Sequence, residues 1–211
     1  MTRPLVLLFL AQILGACATT PPAEEQPLVP PSSEQVRAWH QHLQSVNQIT
    51  AWSLAGRIVV NTEEDGWNGE LYWSQRADGY GIQFSAPFGQ GAFQLDGSVK
   101  GVEMRFSDGK TFQAADAESL LVEQLGWHLP LAGFQYWVTG IPTPESASVL
   151  NYGPDGRLAS LQQDQWKVTY PEYSAIGGVM MPRKVFLENH ELSVRLVIDR
   201  WVFDQASQNG A

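Results

Sequence analysis

The chain has 211 residues, a formal net charge of -9 and an isoelectric point near 4.8. That acidity argues against a nucleic-acid partner and gives no charge-driven attraction to anionic lipid. A single cysteine excludes an internal disulfide, and eight tryptophans imply a wide, rigid apolar surface.

The first segment is a targeting signal. Arg3 precedes the apolar run Leu5-Val6-Leu7-Leu8-Phe9-Leu10, which fades through Ile13 into Leu14-Gly15-Ala16-Cys17. A positive start, a short apolar stretch and small residues before a cut describe a secretory signal peptide over 1–16. The run falls short of the roughly 20 apolar residues that span a bilayer. The tetrad ending at Cys17 resembles the lipobox of bacterial lipoproteins. That resemblance implies an S-diacylglycerol and an N-acyl group on Cys17, which becomes the first residue. The alternative is an ordinary signal peptide with an incidental cysteine. Residues 17–32 carry Pro21, Pro22, Pro27, Pro30 and Pro31 and read as an extended tether. At about 3.1 Å per residue it reaches on the order of 45 Å. Ala18, after the cysteine, resembles the outer-membrane sorting class.

The remainder, 33–204, reads as one domain, followed by a polar tail over 205–211. Ser32 and Gln35 form a capping-box pattern before Val36, Trp39, Leu43 and Val46, so 33–48 is an amphipathic helix. His40 and His42, two apart, cannot share a face, and both are expected in solvent. From residue 52 the period becomes two. Trp52, Leu54, Gly56, Ile58 and Val60 share a face, as do Trp67 to Trp73 and Tyr80 to Ala86, with further strands at Phe93–Leu95 and Val102–Phe106. This is an antiparallel meander with one apolar face. Asp116 caps a second helix that Gly126 stops. Phe134 to Val138 makes one more helical turn. Strands resume near 157–162, 165–170, 183–188 and 191–201, with turns at 152–156 and 176–178 and Pro182 opening a strand. The fold class is mainly β with helices.

Catalytic patterns are missing. Gly79-Tyr80-Gly81 and Gly89-Gln90-Gly91 do not open a helix after a parallel strand, so they are not dinucleotide loops. Asp108-Gly109-Lys110-Thr111 mimics a P-loop end without its earlier glycine and reads as a hairpin turn. His128, beside Trp127, reads as structural, and Glu63-Glu64-Asp65 as a solvated turn. No metal, cofactor or catalytic constellation is expected, and the chain is expected not to be an enzyme.

An ordered series of motifs runs through the domain: Trp52-x-x-x-Gly56-Arg57, Trp73-Ser74-Gln75, Ala86-Pro87-Phe88-Gly89 and Leu120-Leu121 with Gly126. It continues with Leu129-Pro130-Leu131, Trp137-x-x-Gly140-x-Pro142, Trp166-x-Val168-x-Tyr170, Pro182 and Ile198-Asp199-x-Trp201. With the lipobox, this series resembles the LolB family of outer-membrane lipoprotein receptors. Gln165, where the family favours glycine, departs from the pattern.

The resemblance implies an incomplete antiparallel barrel, closed by a helical lid around an apolar cavity that takes lipoprotein acyl chains. Periodicity alone favours a filled core, and the resemblance reverses that expectation. The implied partners are the periplasmic carrier LolA, triacylated lipoproteins as cargo, and outer-membrane lipid, with this chain a monomer anchored on the periplasmic face. Candidate cavity walls are Trp52, Leu54, Ile58, Leu71, Trp73, Ile82, Phe84, Met104, Val194 and Leu196. Pro87, Phe88 and Gly89 form the candidate membrane-insertion loop. Pro at the second place and Gly at the fourth suit a type I turn with Phe88 near its apex. The rival readings are a structural envelope lipoprotein with a solid core and a lipid hydrolase.

Overall fold

A computed structural model describes residues 30–87 and 91–204. Cys17, the tether before Pro30, Phe88, Gly89 and the C-terminal tail lie outside the described residues.

Eleven strands form a single antiparallel sheet in the order β6-β5-β4-β3-β2-β1-β11-β10-β9-β8-β7. In chain order these are β1 (Trp52–Asn61), β2 (Gly66–Arg76), β3 (Gly79–Ser85), β4 (Phe93–Ser98), β5 (Gly101–Phe106) and β6 (Thr111–Ala114). After the helices come β7 (Ser148–Tyr152), β8 (Leu158–Gln163), β9 (Trp166–Ile176), β10 (Val179–Glu188) and β11 (Ser193–Phe203). The two edge strands, β6 and β7, do not pair, so the barrel is incomplete. β11 joins the two halves by pairing with β1. Alternation is clean on β1, whose even-numbered residues Trp52, Leu54, Ile58 and Val60 are buried. They face the interior because the side-chain period of a strand is two.

Three helices accompany the sheet: α1 (Ser33–Asn47), α2 (Ala117–Leu125) and α3 (Leu131–Trp137). The Ser32/Gln35 capping box forms in both directions. Asp116 caps α2 by accepting from the Ser119 amide, and Gly126 ends it in the left-handed conformation. α3 starts earlier than its sequence suggests. Gly133 lowers its helical propensity, but burial of Leu131, Phe134 and Trp137 on one stripe overrides that.

Two strands escape sequence reading. β6 and β7 are short edge strands, and Val149 points outward, so neither shows a full apolar alternation. Pro182 lies inside β10 and does not open it. The register with β9 slips between Pro182 and Lys184, and this irregularity accommodates the missing donor. The Pro182 carbonyl accepts from Trp201 Nε1 at 2.9 Å.

The strands define two ends. One carries the β1–β2 turn (62–65), the β3–β4 loop, the β8–β9 turn (164–165) and the β10–β11 turn (189–192). The other carries the β2–β3, β4–β5 and β9–β10 turns and the start of β1. α1 sits at this second end: Gln35 Nε2 donates to the Gly153 carbonyl at 2.9 Å, and Val46 lies near Trp52, Gln75 and Met181.

Candidate functional site

The inner face of the sheet meets α2 and α3 over a continuous apolar core. Trp73 stacks edge-on to Phe134 at 5.4 Å, and Trp52 packs on Trp73 and Trp201 at 5.2 and 5.3 Å. Each such aromatic pair contributes about 0.5–1.5 kcal/mol beyond its buried area. Toward the first end, Trp127 stands edge-on to Trp67, Phe84 and Phe93. Trp127 follows the C-cap of α2, so the helix end delivers an indole into the interior.

A void lies within this core. Its walls are Ile58, Leu71, Trp73, Ile82, Phe84, Phe93 and Leu95 from the sheet, Leu121, Trp127 and Leu129 from α2 and its sequel, and Leu131 and Phe134 from α3. Every wall residue is apolar, and the volume is ≈ 30 Å³. That is room for no more than about two water molecules, and a void so lined stays dry. The interior is nearly filled in this conformation.

Five of the ten candidate wall residues line the void: Ile58, Leu71, Trp73, Ile82 and Phe84. Leu54, Met104, Val194 and Leu196 are buried in the surrounding core, and Trp52 borders a separate surface hollow beside the end of α1. Sequence reasoning missed Phe93 and Leu95 as wall residues, although they pair directly with Phe84 and Ile82. The period-two pattern alone could have supplied them. The helical contributors Leu121, Trp127 and Phe134 had no comparable signal, because a short helix does not disclose which sheet face it will cover.

α3 is bolted to the sheet. Gln163, 3% exposed, accepts from Trp137 Nε1 and from the Thr143 amide, both at 2.9 Å. Its amide nitrogen donates to the carbonyls of Thr143 and Ser146 at 3.0 and 2.9 Å. Tyr170, buried, donates to the Trp137 carbonyl at 2.9 Å. Burial, with Tyr173 alongside, holds the Tyr170 phenol well above its ordinary pKa, so it remains a donor.

Beside the void lies a surface hollow of ≈ 350 Å³ bounded by Trp73, Gln75 and Tyr80 of the sheet, the first turn of α2, and Leu131, Ala132 and Gln135 of α3. The Tyr80 ring lies across Gly97, where a Cβ would stand 2.1 Å from the ring. Burial, reinforced by Asp116, pushes the Tyr80 phenol up to about 12.

The remaining candidates fall as follows. Pro87, exposed, opens the β3–β4 loop at the first end. Glu63, Glu64 and Asp65 form an exposed turn. Its amides at Glu64 and Asp65 donate to Thr62 Oγ1. Asp108 to Lys110 is the β5–β6 turn. His128 is exposed beside Glu191, and its neighbour Trp127 takes the core position. His42 is not solvated as its spacing suggested. It packs on Trp39 and Tyr173, its Nε2 is buried without a partner, and burial together with Arg157 lowers its pKa. Among the described residues, no group of three or more His, Cys, Asp or Glu could hold a metal, and no helix is long and apolar enough to cross a membrane.

Residues 50–201 match the family model described as "Outer membrane lipoprotein LolB". The chain is 35% identical over 192 residues to the outer-membrane lipoprotein LolB of Stutzerimonas stutzeri, covering 91% of each chain. It is 37% identical over 165 residues to the LolB of Pseudomonas aeruginosa, covering 78% of this chain and 80% of the relative. Two solved structures share the fold at far lower identity. A DUF1329 family protein from Desulfovibrio piger superposes with a TM-score of 0.55 at 7% identity, covering 83% of this chain and 95% of that one. A LolA superfamily protein from Nitrosomonas europaea gives 0.50 at 8% identity, covering 80% and 94%.

Proposed function

Because the chain belongs to the LolB family of outer-membrane lipoproteins, we propose that it receives lipoproteins from a periplasmic carrier of the LolA type. It takes their acyl chains into the space between sheet and helices and passes them into the outer membrane. The observation that carries this reading is the wholly apolar void beneath α2 and α3. A triacylated cysteine presents roughly 40 methylenes, each worth about 0.8 kcal/mol when buried. Free transit through water would cost on the order of 30 kcal/mol, so a receptor must offer apolar surface before the carrier withdraws its own. No bond is made or broken in that exchange, and the role needs no catalytic group.

Cys17, acylated, anchors the chain to the outer membrane at its periplasmic face, and the chain acts as a monomer. Phe88, following the exposed Pro87, touches the leaflet and eases cargo out of the interior. Leaving a phenylalanine in water would forgo roughly 1.5–3 kcal/mol of burial, so lipid contact would be favourable for it. Phe88→Glu then accepts cargo from the carrier but does not insert it.

The near-filled interior favours one rival, a structural lipoprotein with a solid core. Displacement of an apolar fluorophore by purified lipoprotein decides between them. Displaceable binding supports the receptor, and its complete absence supports the solid core. Cleavage of a lipid ester by the purified protein would support the hydrolase.

A further inference from the structure

α1 is tied lightly to the rest of the fold. Trp39 and Val46 are its buried residues. Among the described residues, its one side-chain hydrogen bond to another element runs from Gln35 Nε2 to the Gly153 carbonyl at 2.9 Å. Its backbone lies close on the β7–β8 turn, where a Cβ at Gly156 would meet the Gln35 carbonyl at 2.8 Å. His42 follows Trp39 by three residues and shares its face of the helix. The imidazole packs between the rings of Trp39 and Tyr173, at 5.9 and 6.3 Å, and its buried Nε2 meets no partner.

The charges around that imidazole are already engaged. Arg157 lies 5.0 Å over the Tyr173 ring and pairs with Asp155. Asp155 also accepts from the Arg157 amide at 3.0 Å. Arg157 Nε is buried and, like His42 Nε2, meets no partner. Tyr173 of β9 donates its hydroxyl to the Leu158 carbonyl at 3.0 Å, and burial keeps that phenol un-ionised. Tyr152 of β7, facing Trp39 at 5.8 Å, is also raised by burial. On β10, which α1 also touches, Arg183 and Lys184 pair with Glu172. Glu34, Arg37 and His40 of α1 itself are exposed. Protonation of His42 would therefore set a second cation beside Arg157, with no free carboxylate among these neighbours to receive it. Burial and Arg157 lower the His42 pKa, against a smaller pull from Asp155.

We propose that α1 is an acid-released extension of the tether: protonation of His42 unseats it from the β7–β8 turn, β9 and β10, while the sheet, α2 and α3 keep their places. In an unseated helix the imidazole meets water and regains its ordinary value of 6.5. The seated form binds the proton less readily, so seating is favoured above pH 6.5 and is lost as pH falls from there toward the lower seated value. Each pH unit in that window changes the ratio of seated to unseated helix by up to about tenfold. The chain between residue 17 and β1 then gains the 15 residues of α1 as free length, up to about 50 Å when extended. That gain in reach rests on the reading of Cys17 as the anchor, whereas the unseating stands on the His42 cluster alone.

The test is amide hydrogen exchange of the full-length protein in detergent micelles at pH 7.5 and 5.0, expressed as protection factors so that the intrinsic pH dependence of exchange cancels. Protection across 33–47 is expected to fall at least about fivefold at the lower pH, and across 117–125 to stay within about twofold. His42→Gln, uncharged at both pH values, is expected to keep α1 protected to within about twofold. No loss in α1, an equal loss in both helices, or the same loss in His42→Gln overturns the proposal. An NMR titration of the His42 ring in the unsubstituted protein decides the matter even where that variant does not fold. Protonation below pH 6.5, in step with the loss of α1 protection, upholds the switch, and protonation at or above 6.5 overturns it. Neither measurement involves cargo, so failure here leaves the receptor reading intact.

Discussion

Replacing Gln163 by leucine removes the clasp that fixes α3 and keeps nearly the same side-chain volume. Two donors lose their partner in a buried setting, Trp137 Nε1 and the Thr143 amide. The carbonyls of Thr143 and Ser146 lose a donor as well. An unmet buried donor costs about 1–3 kcal/mol, and added apolar burial by leucine returns part of that. The expected net loss is roughly 3 kcal/mol, most of it from the two donors. For a domain of this size each kcal/mol shifts Tm by about 2–4 °C, so Tm should fall by about 6–12 °C. Urea unfolding followed by tryptophan fluorescence measures the change. Gln162→Leu, at the exposed neighbouring position, is the control and should stay within about 0.5 kcal/mol of wild type. A loss below about 1 kcal/mol for Gln163→Leu would refute the clasp, because at least one of these donors would then have another partner.

Three other outcomes follow from local geometry. Gln165→Gly should stabilise the protein by about 0.5–1 kcal/mol in the same urea assay. Gln165 has φ 68°, where a side chain is strained, and a neutral or destabilising result would contradict that reading. Gly156→Ala should cost at least 2 kcal/mol and loosen α1, seen as faster amide exchange across 33–47. Its φ is +78°, and a Cβ there would sit 2.4 Å from Ala38 Cβ and 2.8 Å from the Gln35 carbonyl, so unchanged stability would place α1 elsewhere. His42 has a folded-state pKa below its ordinary 6.5, so the unfolded chain binds the proton more readily. Its contribution is therefore complete above pH 6.5 and is lost as pH falls from there toward the depressed folded value. His42→Gln should flatten the urea midpoint between pH 7.5 and 5.5 relative to wild type, and identical profiles would remove His42 from the cause.

The meander was legible because β1 to β5 each bury one face, and the first two turns carry Glu63-Glu64-Asp65-Gly66 and Asp78-Gly79. The same clarity set the caps of α1 and α2, since Ser32, Asp116 and Gly126 act within one turn of where they stand. Gln165 shows how a departure from pattern becomes physical. Asp164 and Gln165 both have positive φ, as a two-residue hairpin turn requires, which is where glycine fits. The site was less legible because it is made by contacts across the fold. Phe84 and Phe93 announce an apolar face, but not that Trp127 and Phe134 cover it. Nor does any local pattern distinguish a solid interior from a hollow one. His42 was misread for the same reason. Spacing separates it from His40 but says nothing of Tyr173, more than a hundred residues away, which buries it.

The placement of the two ends bears on how an anchored receptor meets its membrane. Ser32, where the tether joins the body, adjoins the β7–β8 turn at one end through Gln35 and Gly153. Pro87 and the β3–β4 loop lie at the other. The body between them is about 30 Å long, the rise of the ten-residue strand β1. If Phe88 is to touch the bilayer that holds Cys17, the tether must run back along the whole body. Residues 18–32 allow this, since a chain of that length spans at most about 50 Å. A tether much shorter than 10 residues, with a limit near 35 Å, would hold the α1 end against the membrane and point the β3–β4 loop away from it. The long proline-rich segment is therefore matched to the separation of the two ends.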